Sequence, residues 1–459
     1  MQFPSKYGHF SDDGREYVIT RPDTPAPWVN VISNGDYGLV VSQAGGGFSW
    51  RTHANLNRLT RWTQDLLRDE QGKYLYLRDE ESGAFWSATF QPTAHEADSF
   101  RCRHGIGYSV FEQEHDGIAS ALTVFVAPDA PCELWILEIS NRGPGSRRIS
   151  LTSYLEFCLG AAPDHHREFH KLFIEPVFDA RAQAILATKR LWEVPTDRGH
   201  WNADWPYVAF HATSAEVTSF DGDRASFMGR HRGPQRPAAM ATPELAGNAG
   251  RWGDAVGALR SVLVLPPGAT ETVVYLLGAA DDAEAARALI ERFKAPEAAR
   301  RALEDVHAFW EQPLSALTVE TPDPAFDLMT NTWLKYQAIS GHLWARAGYY
   351  QQSGAYGFRD QLQSSQVWLP LDPLQMRRQI LLHARHQASS GKVLHWWHPL
   401  TEEGLPTQMT DDLLWLPFMT ARYLQETVDW AILSEVVPFH DGGEGTLLGG
   451  FPGGFVKAP

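Results

Sequence analysis

The sequence changes character at one stretch, Asp281-Asp282-Ala283-Glu284-Ala285-Ala286-Arg287-Ala288-Leu289-Ile290. An aspartate that can cap a helix precedes a run of strong helix formers, and Pro296 opens a second helix that we predict to reach Trp310. Short β-strand patterns come before this stretch, and α-helical patterns follow it. The order predicts a β-sheet domain, a helical linker and a helical domain.

The part up to about Ala280 consists of short segments rich in β-branched and aromatic residues. Turns such as Asn34-Gly35-Asp36 and Pro266-Pro267-Gly268 separate these segments. Regularly spaced short strands without long helices between them predict two packed antiparallel sheets, a large β-sandwich. The predicted strands are Glu16–Thr20, Lys73–Arg78, Ala121–Ala127, Glu133–Ser140, Ser150–Phe157, Ser261–Leu265 and Glu271–Leu277.

From Asp323 onward apolar residues recur at helical spacing, with Phe326, Met329, Trp333 and Tyr336 predicted on one face. Loops rich in Gly, Trp and His separate the later helices, which is typical of an all-helical barrel that carries its ligand site on loops at one mouth. The later predicted helices are Pro373–Ser390, Asp411–Leu424 and Trp430–Val437.

Composition excludes several functional classes. The 459 residues carry a formal net charge of -15, which argues against a nucleic-acid partner because such binding needs clustered Lys and Arg. Neither a signal-peptide pattern nor an apolar run of membrane-spanning length is recognised. The three cysteines lack metal-ligand spacing. We therefore expect a cytoplasmic protein without a membrane association, and the 17 tryptophans favour a carbohydrate ligand, since sugar faces stack on aromatic rings.

The stretch from Tyr349 to Gln363 is the first candidate for a binding site. Its small residues allow the backbone to approach a ligand, and Arg359 and Asp360 offer the bidentate donors and acceptors that neighbouring sugar hydroxyls require. An ordinary loop at a helix start, with both charged residues satisfied by structural partners, is an equal alternative.

A second candidate is His395-Trp396-Trp397-His398-Pro399. Two aromatic residues flanked by histidines would form a stacking wall with hydrogen-bonding edges. The spacing differs from that of the helical two-histidine metal motif, so we predict no metal.

The third candidate is Thr410-Asp411-Asp412-Leu413-Leu414-Trp415-Leu416-Pro417. The polar residues at its start could cap a helix and complement the positive end of the helix dipole. Paired carboxylates at the mouth of a barrel could also accept sugar hydroxyls or act as acid or base. Capping explains one of the two aspartates.

A glycine-rich run, Ala44-Gly45-Gly46-Gly47-Phe48-Ser49-Trp50, lacks the Lys-Ser/Thr ending of a phosphate loop. We interpret it as a turn of the sandwich and expect no nucleotide cofactor.

Several of these motifs, in this order, resemble glycoside hydrolase family 94, which includes the cellobiose and chitobiose phosphorylases and a domain of cyclic β-1,2-glucan synthases. The likeness begins at Tyr7-Gly8-His9-Phe10, includes His104-Gly105-Ile106-Gly107-Tyr108-Ser109, and is densest from Tyr349 to Pro417. The resemblance implies a β-sandwich, a helical linker and an (α/α)6 barrel. It implies domains at 1–280 (sandwich), 281–313 (linker), 314–448 (front part of the barrel) and 449–459 (a tail unrelated to the family).

The reaction implied by this resemblance is reversible phosphorolysis of a β-linked disaccharide with inversion. Inorganic phosphate attacks the anomeric carbon while an aspartic acid protonates the leaving oxygen. Because phosphate is already anionic, one carboxylic acid suffices where an inverting hydrolase needs two carboxyl groups. Inorganic phosphate would be a co-substrate, and no cofactor is expected. The resemblance also leaves open that the chain forms a homodimer.

The resemblance also assigns roles to residues. Substrate-binding roles fall on Arg359, Asp360, Gln363, His395, Trp396, Trp397, Asp411 and Asp412, and a phosphate contact on Arg346. Relatives often carry an aspartate at the position of Ser364. The serine is a departure from the family pattern that affects recognition of the donor sugar's hydroxyl groups. The Asp-Trp-Asn-Asp-like motif with the general acid is expected downstream of the segment at Gly442-Gly443-Glu444-Gly445, and the sequence holds no such motif there.

We therefore expect the chain by itself to be inactive, as the incomplete front portion of a phosphorylase. Alternatives are a non-catalytic sugar-binding or scaffold protein, and one half of a split enzyme whose other half is a separate chain.

Overall fold

The β-branched and aromatic segments before Ala280 form two large antiparallel sheets, and β16 and β17 pair separately from them, at 192–196 and 199–203. The computed structural model describes residues 2–163, 168–196, 199–440 and 456–457. By its internal contacts the chain divides into two units. The sandwich unit comprises Met1–Trp192, Ala203–Phe309 and Gly348–Gln351, and the helical unit comprises Glu193–Asn202, Trp310–Ala347 and Gln352–Pro459. None of the helices described is long and apolar enough to span a bilayer.

Twenty-one strands precede the first long helix in the described part of the chain. They are β1 Gly8–Phe10, β2 Glu16–Ile19, β3 Val29–Ser33, β4 Tyr37–Ser42, β5 Gly47–Arg51, β6 Arg58–Thr60, β7 Tyr74–Asp79, β8 Phe85–Ser87, β9 Ser99–Gly105, β10 Tyr108–His115, β11 Ile118–Val126, β12 Cys132–Asn141, β13 Arg147–Gly160, β14 Ile174–Asp179, β15 Ala184–Lys189, β16 Trp192–Thr196, β17 Gly199–Ala203, β18 Val208–Thr213, β19 Ser219–Asp223, β20 Ala255–Leu265 and β21 Thr270–Ala280.

One sheet has the strand order β1-β2-β9-β10-β11-β12-β21-β18-β15-β14. The other runs β19-β20-β13-β6-β5-β4-β3, with β7 pairing β13 and β8 pairing β7. Apolar side chains of both sheets share one core, for example Leu39 and Leu151 of one sheet with Phe111 and Leu137 of the other. The predicted antiparallel sandwich followed by helices is confirmed.

The helical elements follow the sandwich strands, apart from one short helix. They are α1 Arg224–Met228, α2 Ala283–Phe293, α3 Pro296–Ser315, α4 Pro324–Leu328, α5 Leu334–Tyr336, α6 Phe358–Ser364, α7 Pro373–Ala384 and α8 Asp412–Thr427. Asp282 caps α2 by accepting a hydrogen bond from the Ala285 amide at 2.8 Å, as its position in the sequence predicts. The predicted helix after Trp430 is a short 3-10 turn, Trp430–Ser434.

Two expectations for the helical unit differ from the structure. Residues Met329–Trp333 and Gln337–Ala345 are π-helical. The wider π turn changes which residues share a face, so Phe326 is 53% exposed although Trp333 is buried. The segments expected as loops also contain a small sheet of β22 Tyr356–Gly357, β23 Leu394–Trp397, β24 Glu403–Pro406 and β25 Val456–Lys457. Apart from β25, the expected tail 449–459 lies outside the described residues, and the boundaries at 313 and 448 stay predictions.

A buried carboxylate connects the two sheets of the sandwich unit. Glu133 on β12 accepts hydrogen bonds from Tyr37 of β4 at 3.2 Å, from Ser49 of β5, and from Lys73 directly before β7. Trp135 donates to the same carboxylate at 2.8 Å. Burial lowers the pKa of Lys73, while the adjacent Glu133 opposes that shift.

We predict that Glu133→Gln destabilises the sandwich unit by about 3–5 kcal/mol, because it leaves the Lys73 ammonium buried without its counterion. Glu138→Gln, on the exposed side of the same strand, should cost only about 0–1 kcal/mol. Urea unfolding of the two variants checks this. Equal losses in both would contradict the role given to Glu133.

A second buried carboxylate, Asp69, lies in the sandwich unit beside Tyr349. Ser42 and Tyr349 donate to its two oxygens, and burial raises the pKa of Asp69 from 3.8 to about 6. Gly46 has no side chain at this point, and a Cβ there would lie 2.0 Å from the Asp69 Oδ1 atom.

Because the raised pKa makes the folded state bind a proton that the unfolded chain has already lost, the free energy of unfolding should fall as pH rises from about 4 to about 6. The loss from this group is about 2–3 kcal/mol. Asp69→Asn should remove this slope, whereas Asp204→Asn, at an exposed position of the same unit, should retain it. Urea unfolding across this pH range measures both, and an unchanged slope in Asp69→Asn would refute the assignment.

Candidate functional site

Arg359 lies in the first turn of α6 and contacts the start of α8. Its Nη1 atom is 2.7 Å from Asp411 Oδ2, and its guanidinium carbon lies 5.3 Å from the centroid of the Trp415 ring. The Arg359 and Asp411 side chains are 48% and 46% exposed. A cation, a carboxylate and an aromatic ring are thus displayed together and stay accessible to a ligand.

Asp360 and Gln363 lie beside Arg359 on the same helix, and both are exposed. Gln363 accepts a long hydrogen bond of 3.4 Å from Arg359 Nε. Asp360 closely approaches Gly357, where a Cβ would lie 2.7 Å from its Oδ2 atom. Three of the predicted binding residues therefore share one exposed helix surface.

His395 of β23 is paired with the other aspartate of the third motif. Its Nδ1 atom is 2.8 Å from Asp412 Oδ2, and Thr407 donates to the same oxygen at 2.5 Å. Asp412 is 1% exposed, while the His395 side chain is 40% exposed. With Nδ1–H donating to the buried carboxylate, Nε2 is the ring nitrogen available to a ligand.

The start of α8 differs from the expected capped helix. Asp411 stands at the N-cap with helical dihedral angles, φ -80° and ψ -27°, and its side chain makes no capping hydrogen bond. Its carboxylate contacts Arg359 instead, and that of Asp412 contacts His395. Both aspartates are therefore committed to side chains of other elements, and the helix start is where these elements meet.

The two tryptophans of β23 have different surroundings. Trp397 is fully buried, with its ring stacked 3.9 Å from His386 and 5.3 Å from Tyr356. Trp396 is partly exposed and contacts His398 edge to face at 5.1 Å. Trp397 belongs to the core of the helical unit, whereas Trp396 is partly exposed. The pocket role of both tryptophans stays a prediction.

Arg346 is also placed in the core. Its guanidinium donates to the carbonyl oxygens of Gly354 at 3.0 Å and Trp344 at 2.9 Å, and it stacks on the Tyr356 ring at 4.1 Å. Burial lowers its pKa. The residue adopts a left-handed conformation, φ 50°, which ends the π-helical segment. This geometry gives Arg346 a structural role, and the phosphate contact stays a prediction.

Sequence reasoning missed three residues that the structure brings to this region. Trp415 and Thr407 contact the two aspartates, and His342 lies 2.6 Å from Ser364 through its Nδ1 atom. The signal for Trp415 was its position four residues after Asp411 on one helix, since such residues are neighbours on a helix surface. His342 therefore contacts the residue at which this chain departs from the family pattern, since relatives often carry an aspartate at the position of Ser364.

The polar stretch from Tyr349 to Gln363 is divided between the two units. Gly348–Gln351 belongs to the sandwich unit, where the Tyr349 ring contacts Trp62 at 4.8 Å and its carbonyl accepts from Gln64 at 2.7 Å. Residues from Gln352 onward belong to the helical unit. Within the described ranges, no group of three or more metal-ligating side chains occurs.

The sequence matches two models of one family. Residues 15–296 match the glycosyl hydrolase 94 supersandwich domain, and residues 309–452 match the catalytic domain of the glycosyl hydrolase 94 superfamily. The chain belongs to glycoside hydrolase family 94. The resemblance inferred from the sequence motifs is confirmed.

Curated members of family 94 are similar along almost the whole chain. It is 35% identical over 447 residues to the cyclic beta-(1,2)-glucan synthase NdvB of Rhizobium meliloti, covering 96% of this chain and 15% of that protein. It is 29% identical over 475 residues to the N,N'-diacetylchitobiose phosphorylase of Vibrio furnissii, covering 96% of this chain and 58% of that protein. The chain thus spans 58% of the length of the phosphorylase and 15% of the length of the synthase.

A solved structure shares the fold at much lower identity. A bacterial glucoamylase complexed with acarbose superposes with a TM-score of 0.54 at 6% identity, covering 93% of this chain and 58% of that chain. Such an identity shows the fold alone. Together with the family 94 catalytic-domain match, it confirms the predicted fold class, a sandwich followed by helices of an (α/α)6 barrel.

The adjacent aspartates of α8 predict very different mutational effects. Asp412→Asn places an amide NH2 among the donors His395 and Thr407 in a buried site, so we expect a loss of about 1–3 kcal/mol in the free energy of unfolding. Asp411→Asn breaks a half-exposed ion pair and should cost about 0–1 kcal/mol. Denaturant unfolding of both variants measures the difference. A loss for Asp411→Asn as large as that for Asp412→Asn would contradict this geometry.

Proposed function

We propose that the protein is a glycoside phosphorylase of the inverting type, or the front portion of one, and that its helical unit binds the donor sugar of a β-linked disaccharide. One observation carries this proposal: at the start of α8, Arg359 contacts Asp411 and His395 contacts the adjacent Asp412, beside the partly exposed Trp415. The relatives named as phosphorylases support the reaction class.

This cluster has the chemistry that a pyranose requires. Neighbouring sugar hydroxyls act as donor and acceptor together, and a carboxylate beside a guanidinium satisfies both in one plane. An aromatic ring offers a face for the apolar C–H groups of the sugar. Because Arg359 and Asp411 are half exposed, a sugar can exchange their mutual contact for contacts to its own hydroxyls at little cost.

In the proposed reaction, a phosphate oxygen forms a bond to the anomeric carbon while the bond to the leaving oxygen breaks. The products are a sugar 1-phosphate of inverted configuration and a free sugar that has taken up one proton. Residues of this chain bind and orient the donor sugar. With Nδ1 held by Asp412, His395 has Nε2 left for a hydroxyl group of the sugar.

We also propose that the 459-residue polypeptide alone binds sugar without turnover. The sequence supports this view, since it contains no Asp-Trp-Asn-Asp-like acid motif after Gly445. Without a general acid the leaving oxygen would depart unprotonated, a loss of roughly 10²–10⁴ in rate. A cytoplasmic location is proposed with it, supported by three cysteines that are buried thiols.

Sugar binding is tested by calorimetric titration of the protein with glucose, N-acetylglucosamine and the corresponding β-linked disaccharides. We expect saturable binding of at least one of them, weakened on the order of tenfold by Arg359→Gln through loss of a charge-assisted hydrogen bond. Arg378→Gln, an exposed arginine of α7, is the matched control and should bind as the unchanged protein does. Equal affinity of both variants would refute the assigned sugar contact.

Turnover is tested separately by incubating the protein with glucose 1-phosphate or N-acetylglucosamine 1-phosphate and an acceptor sugar. Phosphate release above background is not expected from this polypeptide alone. Clear release would refute the proposed inactivity and leave the sugar site in place.

A further inference from the structure

A cavity of about 930 Å³ lies in the sandwich unit, and its lining contains none of the residues of the candidate sugar site. The lining includes five positively charged or basic side chains, which are Arg68, Arg78, His231, Arg232 and Arg236. Glu70 is the one carboxylate among the described lining residues. The positive charge of the cavity lining contrasts with the formal net charge of the whole chain, which is -15.

Ion pairing leaves part of that charge uncompensated. Arg68 lies 3.3 Å from Glu70, and Arg78 lies 2.7 Å from Glu80. Arg232 and Arg236 are exposed and form no ion pair with any residue that the structure describes. The Nε atom of Arg78 is buried and has no hydrogen-bond partner within the same described ranges. The guanidinium groups of Arg232 and Arg236 are therefore the donors that the cavity offers to a ligand.

The segment that carries Arg232 and Arg236 is held in place by two buried side chains. Tyr76 donates to the Pro234 carbonyl at 2.7 Å. Arg260 donates to the Ala239 carbonyl at 2.8 Å and to the Thr242 carbonyl at 2.6 Å. A backbone fixed in this way lowers the entropic cost of binding, because the ligand has to order only the arginine side chains and not the segment that carries them.

The size and remaining lining of the cavity indicate the class of ligand. Its volume lies in the range of small-molecule sites and exceeds what a lone phosphate ion fills. Phe85 and Met240 supply apolar surface, and both belong to or pack against a buried cluster of the sandwich. Guanidinium groups bind phosphate oxygens in bidentate fashion.

We propose that this cavity binds an organic phosphate, with the phosphate group held by Arg232 and Arg236 and the organic body placed against Phe85. The site is separate from the sugar-binding cluster of the helical unit and does not depend on its function.

The test is a calorimetric titration of the protein with glucose 6-phosphate, inorganic phosphate and glucose at low ionic strength, where charge contacts are least screened. We expect saturable binding of glucose 6-phosphate, on the order of tenfold tighter than that of inorganic phosphate or glucose. The double variant Arg232→Gln/Arg236→Gln should weaken it on the order of tenfold or more. Both positions are exposed, so the variant should fold, which circular dichroism checks.

Two control variants show whether the binding belongs to this cavity. Arg181→Gln/Arg301→Gln removes the same charge from exposed positions outside the cavity, and it should bind glucose 6-phosphate normally. Arg359→Gln alters the sugar site and should also bind it normally. The proposal is overturned by an absence of saturable binding, by inorganic phosphate binding as tightly as the ester, by an equal loss in the charge control, or by a loss confined to Arg359→Gln.

Discussion

The carboxylate of Glu133 is the constraint on which the sandwich depends. It projects from one sheet and accepts hydrogen bonds from Tyr37, Ser49 and Lys73 of the other. A buried carboxylate is costly unless it is paired and fully hydrogen-bonded, so the position of one sheet on the other is restricted to the arrangement that satisfies it. Burial of the surrounding apolar core drives the packing of the two sheets, but it is non-directional. The hydrogen bonds of Glu133 favour one arrangement of the sheets over others.

In the helical unit, the start of α8 has a comparable effect on the candidate site. Consecutive helical residues point about 100° apart, so two adjacent aspartates reach different neighbours. Asp411 contacts Arg359 of α6 and Asp412 contacts His395 of β23. Their burial differs sharply: the buried Asp412 orients an imidazole, and the half-exposed Asp411 forms an ion pair that solvent reaches.

Residue type and order predicted part of this site. Arg359, Asp360, Gln363, His395 and the two aspartates lie in one unit, and all of them except Asp360 make a direct side-chain contact with another member of the set. Arg346 and Trp397 were indistinguishable from them in sequence, because an arginine near glycines or a tryptophan in a polar stretch suits a pocket as well as a core. Their burial depends on Tyr356 and His386, residues that the chain brings to them only on folding.

The sequence by itself determined the fold class and the family, because strand alternation, helix caps and the order of motifs are local or linear properties. It also determined where the two kinds of secondary structure meet, near Asp282. Tertiary structure alone decided which polar residues stay exposed, which aspartate pairs with which cation, and that arginines from distant parts of the sandwich line one cavity. Those outcomes depend on long-range packing and on burial, which fix the partners and the electrostatic environment of each side chain and which no short segment specifies.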